Sequence, residues 1–156
     1  MTPRITSRPS AVSAVINKQL RSMETRTQKT FATAPGDKME DGTIYAGISP
    51  DTLKPMCATP EDAPGVYQFY KATRYAESLD AHGHRDWRVP TKGELDVLFR
   101  FRVAIGGFNT SGSSPAGWYW SSSDYNHGTA WDRRFSDGLP NNSLKVSISS
   151  LRCVRG

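Results

Sequence analysis

The run Asp86-Trp87-Arg88-Val89-Pro90-Thr91-Lys92-Gly93-Glu94-Leu95 fixes the start of a helix at one residue. Pro90 cannot continue a helix arriving from its N-terminal side. Thr91 and Glu94 have the Thr-x-x-Glu spacing of a capping box, in which each side chain satisfies a backbone amide beside the other. A helix is therefore predicted from Lys92 to about Val103, burying Leu95, Leu98 and Phe99, with Phe101 flanking and Gly106-Gly107 as its stop. A second helical pattern covers Val66 to about Leu79, where Phe69, Ala72, Ala76 and Leu79 recur at three- and four-residue steps with Tyr70 beside the stripe. Ala81-His82-Gly83-His84 is expected to end it, with Gly83 relieving the C-terminal turn.

Strand signals lie on both sides of these helices. Thr43–Ile48 reads as one strand, with Lys54–Ala58 as its short partner. After Gly107 the expected strands are Trp118–Ser122, Ala130–Phe135, Lys145–Ile148 and Leu151–Arg155, with Asp137-Gly138 as a tight turn. The loop between Gly107 and Gly117 is long and built of small residues, a form that is often functional or mobile. Strands, then two helices, then strands give an α+β fold.

Charge divides the chain. Residues 1–38 hold Arg4, Arg8, Lys18, Arg21, Arg26, Lys29 and Lys38 against Glu24 and Asp37, seven minus two, which equals the whole net charge of +5. Residues 1–40 are read as a basic leader and 41–156 as one domain. The leader is either a solvated tail or a short amphipathic helix built on Ala11, Val12, Val15, Ile16 and Leu20. A domain with balanced charge lacks the basic face of a nucleic-acid binder. No stretch reaches the ~20 apolar residues of a membrane helix. None reads as a secretory signal, so synthesis in the cytoplasm is expected, with any passage to a virion or cell surface by another route.

Catalytic signatures are missing. His82 and His84 fit a polar turn better than a metal site. Asp124, Asp132 and Asp137 are ordinary turn and strand residues. Cys57 and Cys153 are too isolated for zinc and are expected as two buried thiols. No cofactor, no metal and no enzymatic activity are expected.

The last segment is marked by composition. In residues 1–120, Lys, Glu, Gln, Met and Trp together recur about every six positions, whereas from Ser121 to Gly156 only Trp131 and Lys145 belong to that set. Asn, Ser, Asp, Tyr, Gly, Leu, Val and Ile fill the segment, and Leu139-Pro140-Asn141-Asn142-Ser143-Leu144 shows no clean alternation. Surfaces selected for contact favour Tyr, Ser, Gly and Asn in such mixtures. Plain hairpin loops are the alternative.

From Asp41 onward the chain resembles a known family. Asp41–Gly47, Asp86–Thr91 with Glu94-Leu95, Trp118–Ser122, Ala130-Trp131, Phe135, Gly138 and Arg152-Cys153-Val154-Arg155 are similar to the Lcl-type C-terminal domain. That resemblance implies a C-type lectin-like fold, two helices packed on short antiparallel sheets, related to formylglycine-generating enzyme. Within the family the chain looks most like the variable proteins of diversity-generating retroelements. Those elements recopy the end of a gene with errors at adenines, so Asn codons of the form AAY change to a set that includes Tyr, Asp, Ser, His, Thr, Ile, Val, Leu, Pro and Gly but never Lys, Glu, Gln, Met or Trp.

Carried over, the resemblance places a variable region within 118–156. The fixed scaffold is Trp118, Trp120, Ser121, Ser122, Ala130, Trp131, Phe135, Gly138, Arg152 and Cys153, and Lys145 must also be fixed. The implied ligand-binding positions are Tyr125, Asn126, His127, Gly128, Thr129, Asp132, Arg134, Leu139, Pro140, Asn141, Asn142, Ser143, Leu144, Val146, Ser147, Ile148 and Ser149. Their ligand is an unspecified protein or glycan. Two further readings share the fold: an invariant adhesin or phage tail module, and a degenerate enzyme of the formylglycine-generating type. Against the latter, only Cys153 lies near the end of the chain. Against calcium-dependent sugar binding, Leu139-Pro140-Asn141 and Trp131-Asp132-Arg133 are only near misses of the motifs used by lectins of this fold, because the oxygen ligand before the proline is missing.

Overall fold

A computed structural model of the protein describes residues 33–156. The leader helix expected around Ala11–Leu20 lies outside the described residues. Chain contacts divide the protein into Met1–Thr33 and a compact unit, Ala34–Gly156. The compact unit is α+β. Its elements are β1 (Ile44–Ile48), β2 (Pro55–Ala58), α1 (Phe69–Ser78), α2 (Lys92–Arg100), α3 (Arg102–Ile105), β3 (Trp118–Asp124), β4 (Thr129–Arg134), β5 (Pro140–Leu144) and β6 (Val154–Arg155). They form two three-stranded antiparallel sheets, β1-β2-β6 and β3-β4-β5. No helix among the described residues is long and apolar enough to cross a membrane.

The capping box forms as the sequence requires. Thr91 Oγ1 accepts from the Glu94 amide at 3.1 Å, and Glu94 Oε1 accepts from the Thr91 amide at 2.9 Å. Glu94 has a second task, because its fully buried carboxylate also receives both Arg88 nitrogens at 2.5 and 2.6 Å. Arg88 reaches on to the Gly156 carbonyl at 3.0 Å, tying the chain's last residue to the start of α2. Burial by itself would raise the Glu94 pKa. Arg88, the Thr91 amide and Ser49 outweigh it and hold the acid at about 2.

The helical pattern continues to Val103 in sequence, but the chain breaks at Phe101 (φ −104°, ψ 19°), and the short α3 carries Ile105 into the core. Helix α1 stops at Ser78 with Leu79 extended, well before Gly83. Gly83 (φ 77°) and His82 (φ 55°) instead make the two left-handed residues of a tight turn closed by reciprocal Ala81–His84 backbone bonds. That turn is pinned to the opening of the fold, with His84 Nε2 lying 2.6 Å from Asp41 Oδ2.

Strand β3 divides the core. Side chains alternate across a strand, so Tyr119 enters a cluster with Leu95, Leu98, Phe135 and Val154, while Trp120 enters another with Phe69, Trp87, Val89 and Leu151. Both rings are fully buried. Beyond Trp120 the strand bulges. There the Ser121 hydroxyl, not a backbone amide, donates to the Trp131 carbonyl at 2.6 Å. Of the closing run Leu151–Arg155, only Val154–Arg155 pairs as a strand, and the buried residues before it bond singly to Ala63 and Thr59. Cys57 and Cys153 are free thiols. Cys153 is buried, which pushes its pKa up to about 12, and Cys57 is half-buried.

Replacing Glu94 with Ala removes the carboxylate half of the capping box and leaves Arg88 without its carboxylate partner. We expect Glu94→Ala to lower the unfolding free energy by about 3 kcal/mol near pH 7 in a urea titration. Because the folded-state pKa is depressed, the wild-type contribution is complete above about pH 4.5 and is lost as pH falls toward 2. A change below 1 kcal/mol would contradict a structural role for the pair.

Candidate ligand-binding surface

The predicted binding residues fall on the sheet β3-β4-β5 and on the connection that follows it. The β3–β4 turn is held from within by Asn126. Its Oδ1 accepts from the amides of Gly128 and Thr129 and from the Thr129 hydroxyl at 2.8–3.0 Å. Tyr125 and His127 project from this frame and are exposed. The Tyr125 ring stands edge-on to Trp131 at 5.1 Å, and Lys92 Nζ lies 3.6 Å from the Trp131 ring centre. Trp131 is thereby held between a cation and an aromatic edge.

After β5 the chain turns sharply, with the Ser147 amide donating to the Leu144 carbonyl. The strand expected at Lys145–Ile148 is thus a turn, and the strand lies earlier, at Pro140–Leu144. Its residues lack alternation because it is an edge strand with almost no buried side chain. Lys145 anchors the connection. Its ammonium pairs with Asp124 at 2.9 Å and lies 5.0 Å from the Phe69 ring centre, and its backbone bonds to Gly128 and to Phe69. Beyond it Val146, Ser147 and Ile148 are exposed, while Ser149 is buried and pairs its backbone with Tyr67.

The predicted positions therefore separate. Exposed are Tyr125, Asn126, His127, Gly128, Leu139, Pro140, Asn141, Asn142, Leu144, Val146, Ser147 and Ile148, while Thr129, Arg134 and Ser143 are half-buried and Asp132 and Ser149 are buried. They do not form a single patch. The β3–β4 turn adjoins the Leu144–Ile148 connection through the Gly128–Lys145 bond. Arg134, Leu139 and Pro140 sit at the other end of β4, ~17 Å away at ~3.3 Å per strand residue. There Arg134 is occupied, clamped to Asp137 at 2.6 Å across the Gly138 turn and lying over Trp118. Gly138 needs its positive φ of 80°, and a Cβ there would fall 2.4 Å from the Phe99 ring.

Two exposed neighbours of this surface carry no mark in the sequence. Tyr70, on α1, is largely exposed beside Lys145. Lys92 is fixed at the head of α2, where its amide donates to the Ser123 hydroxyl at 2.9 Å. Neither carries a compositional mark, since both lie outside the Ser121–Gly156 segment.

Asp132 is the polar exception beneath this surface. It is 3% exposed, and one oxygen accepts from the Ser143 hydroxyl at 2.6 Å while the other has no partner among the described residues. Burial pushes its pKa up to about 6 against the opposing Ser143 bond. Among the described residues no group of three metal-ligating side chains converges. A raised folded-state pKa means that protonation favours the fold, fully below about pH 3.8, and that this stability is lost as pH rises through about 6. We expect the unfolding free energy of Asp132→Asn, relative to wild type, to improve by about 2 kcal/mol between pH 3.5 and pH 7.5. A pH-independent difference would show that Asp132 ionises freely.

The family model described as Lcl C-terminal domain matches residues 37–155. No curated protein matches the chain.

Proposed function

Because the chain belongs to the Lcl C-terminal domain family, whose model spans most of it, we propose that it is a non-enzymatic binding module of C-type lectin-like fold that displays a changeable contact surface. Its relation to formylglycine-generating enzyme, on this reading, is one of fold and not of chemistry. The surface binds protein or glycan targets and is rewritten by a diversity-generating retroelement.

One coincidence carries the reading. Lys145 and Trp131 are the two residues after Ser121 that altered Asn codons cannot produce. Lys145 is buried, salt-bridged to Asp124 and laid over Phe69. Trp131 is half-buried under Lys92 and Tyr125. The residues that the copying chemistry must leave alone are thus ones that packing also needs. Of the seventeen positions open to change, twelve are exposed, so their replacement costs the fold little.

The exposed set supplies what recognition requires. Tyr125, Leu144, Val146 and Ile148 are large apolar side chains in water, and covering each yields ~1.5–3 kcal/mol. Asn141, Asn142, His127 and Ser147 add hydrogen-bonding groups around them. Asp132 and Ser149, being buried, and Arg134, being clamped, act as supports and not as contacts on this account.

Sequencing the DNA beside the gene tests the proposal. We expect a near-copy of the segment encoding the last strands, differing only where the copy has adenine, next to a reverse transcriptase gene. Absence of both, or alleles that differ at Trp120, Ala130, Phe135 and Arg152 instead of the exposed positions, would remove the diversified reading. An invariant adhesin or tail module would then take its place.

A further inference from the structure

Strand β5 is the edge of its sheet, and its ladder to β4 fixes which backbone groups face outward. The Leu139 carbonyl accepts from the Arg134 amide at 3.0 Å, and the Lys145 amide donates to the Gly128 carbonyl at 2.9 Å. Both contacts obey the register that pairs Asp132 with Asn141 and Ala130 with Ser143. Antiparallel pairs alternate between bonded and non-bonded positions. Residues 139, 141, 143 and 145 therefore turn their backbone toward β4, and 140, 142 and 144 turn theirs away.

That outward row has an unusual composition. Pro140 offers a carbonyl and no N–H. Asn142 offers both groups, with no partner among the described residues. Leu144 offers its N–H alone, since its carbonyl already accepts from Ser147 at 2.8 Å. The row reads acceptor, donor and acceptor, donor, and is its own complement when reversed about Asn142.

We propose that a second copy of this chain adds its β5 antiparallel to this one, about a two-fold axis through Asn142. In that pairing the two Asn142 residues exchange two hydrogen bonds. Each Leu144 amide meets the Pro140 carbonyl of the other copy, giving four bonds in all. The donor that Pro140 lacks falls opposite the Leu144 carbonyl that is already used, so no backbone group is left orphaned. An arbitrary extended peptide would leave a carbonyl unmatched opposite Pro140, which has no N–H, and an amide unmatched opposite Leu144, whose carbonyl is already used.

The side chains agree with the dyad. Pro140–Leu144 bears no charge, so no like charges oppose each other, and the lysines that usually block edge pairing are absent. Leu144, more than half exposed, lies across from the Pro140 ring of the other copy. The Asn142 amides, each donor and acceptor, face one another. Two sheets become one of six strands and set two contact surfaces side by side. Because the bonds are main-chain bonds, association survives changes at 141–144, provided none introduces another proline. It does not depend on the retroelement reading and fails separately from it.

Sedimentation of the full chain, up to roughly millimolar concentration, tests this together with two variants and amide exchange. The mass is expected to rise with concentration from one 17.3 kDa chain toward two. Asn142→Pro removes only an outward N–H and is expected to stay monomeric with an unchanged circular dichroism spectrum, whereas Asn142→Ser dimerises as wild type does. In wild type, the Asn142 and Leu144 amides are expected to exchange more slowly as concentration rises, which decides the matter should Asn142→Pro fail to fold. A wild-type monomer throughout, a dimer indifferent to Asn142→Pro, or concentration-independent exchange at Asn142 and Leu144 would overturn the proposal.

Discussion

Arg152 is a guanidinium with no exposed surface, and the compact unit is arranged around keeping it there. Its Nε donates to Asp62 at 2.8 Å, and Nη1 donates to the carbonyls of Thr59 and Gly106 at 3.1 Å each. The Phe108 ring lies 4.0 Å from its carbon centre. Asp62 also receives the Tyr119 hydroxyl, which in turn accepts the Asn109 amide at 2.7 Å. One buried cation thus joins the segment after β2, the end of α3, the long loop, β3 and the tail before β6. Burying such a charge is costly, and removing any partner leaves that cost uncompensated. Gly107 is required at the same place, because a Cβ there would fall 2.9 Å from both Arg152 Nη2 and the Pro60 carbonyl. The loop of small residues is therefore anchored at its start by Phe108 and Asn109.

This network explains how a surface can be free while its support is not. Tyr119 belongs to the Arg152 network and Trp120 to the second core, where its ring nitrogen donates to the Tyr67 carbonyl at 2.6 Å. Strand β3 is consequently held on both faces before any residue of β5 is considered. Strand β4 hangs on β3 through Ala130 and the Ser121–Trp131 bond, and β5 hangs on β4. Each step outward adds exposure, until at β5 almost nothing is buried. A surface built this way can vary at its outer edge without disturbing the charges and rings that fix the fold.

Much of the support was legible because it obeys local rules. The capping box at Thr91 and Glu94, the stripe Phe69, Ala72, Ala76 and the Asp137-Gly138 turn each depend on neighbours in sequence. The outer edge is not legible, since an edge strand exposed on both faces has no period to detect, and the strand signal at Lys145–Ile148 lies beyond the strand itself, Pro140–Leu144. The turn at His82-Gly83 is ambiguous in sequence because glycine serves equally as a helix stop and as a left-handed turn residue. Which of the predicted positions are supports is also hidden in the sequence. Asp132 and Ser149 share their residue types with exposed neighbours, and only the fold tells them apart.

The central claim is that the exposed positions are separable from the base. It is tested most directly by replacing Tyr125, His127, Asn141, Asn142, Leu144, Val146, Ser147 and Ile148 together with random mixtures of Tyr, Ser, Asn, Asp and Gly. The pool would then be sorted for folded, protease-resistant protein. The account predicts that most members stay folded, with melting temperatures within a few degrees of wild type. A pool in which folding survives only when the original residues return would show that these side chains hold the domain together, and would contradict the separation of display surface from scaffold.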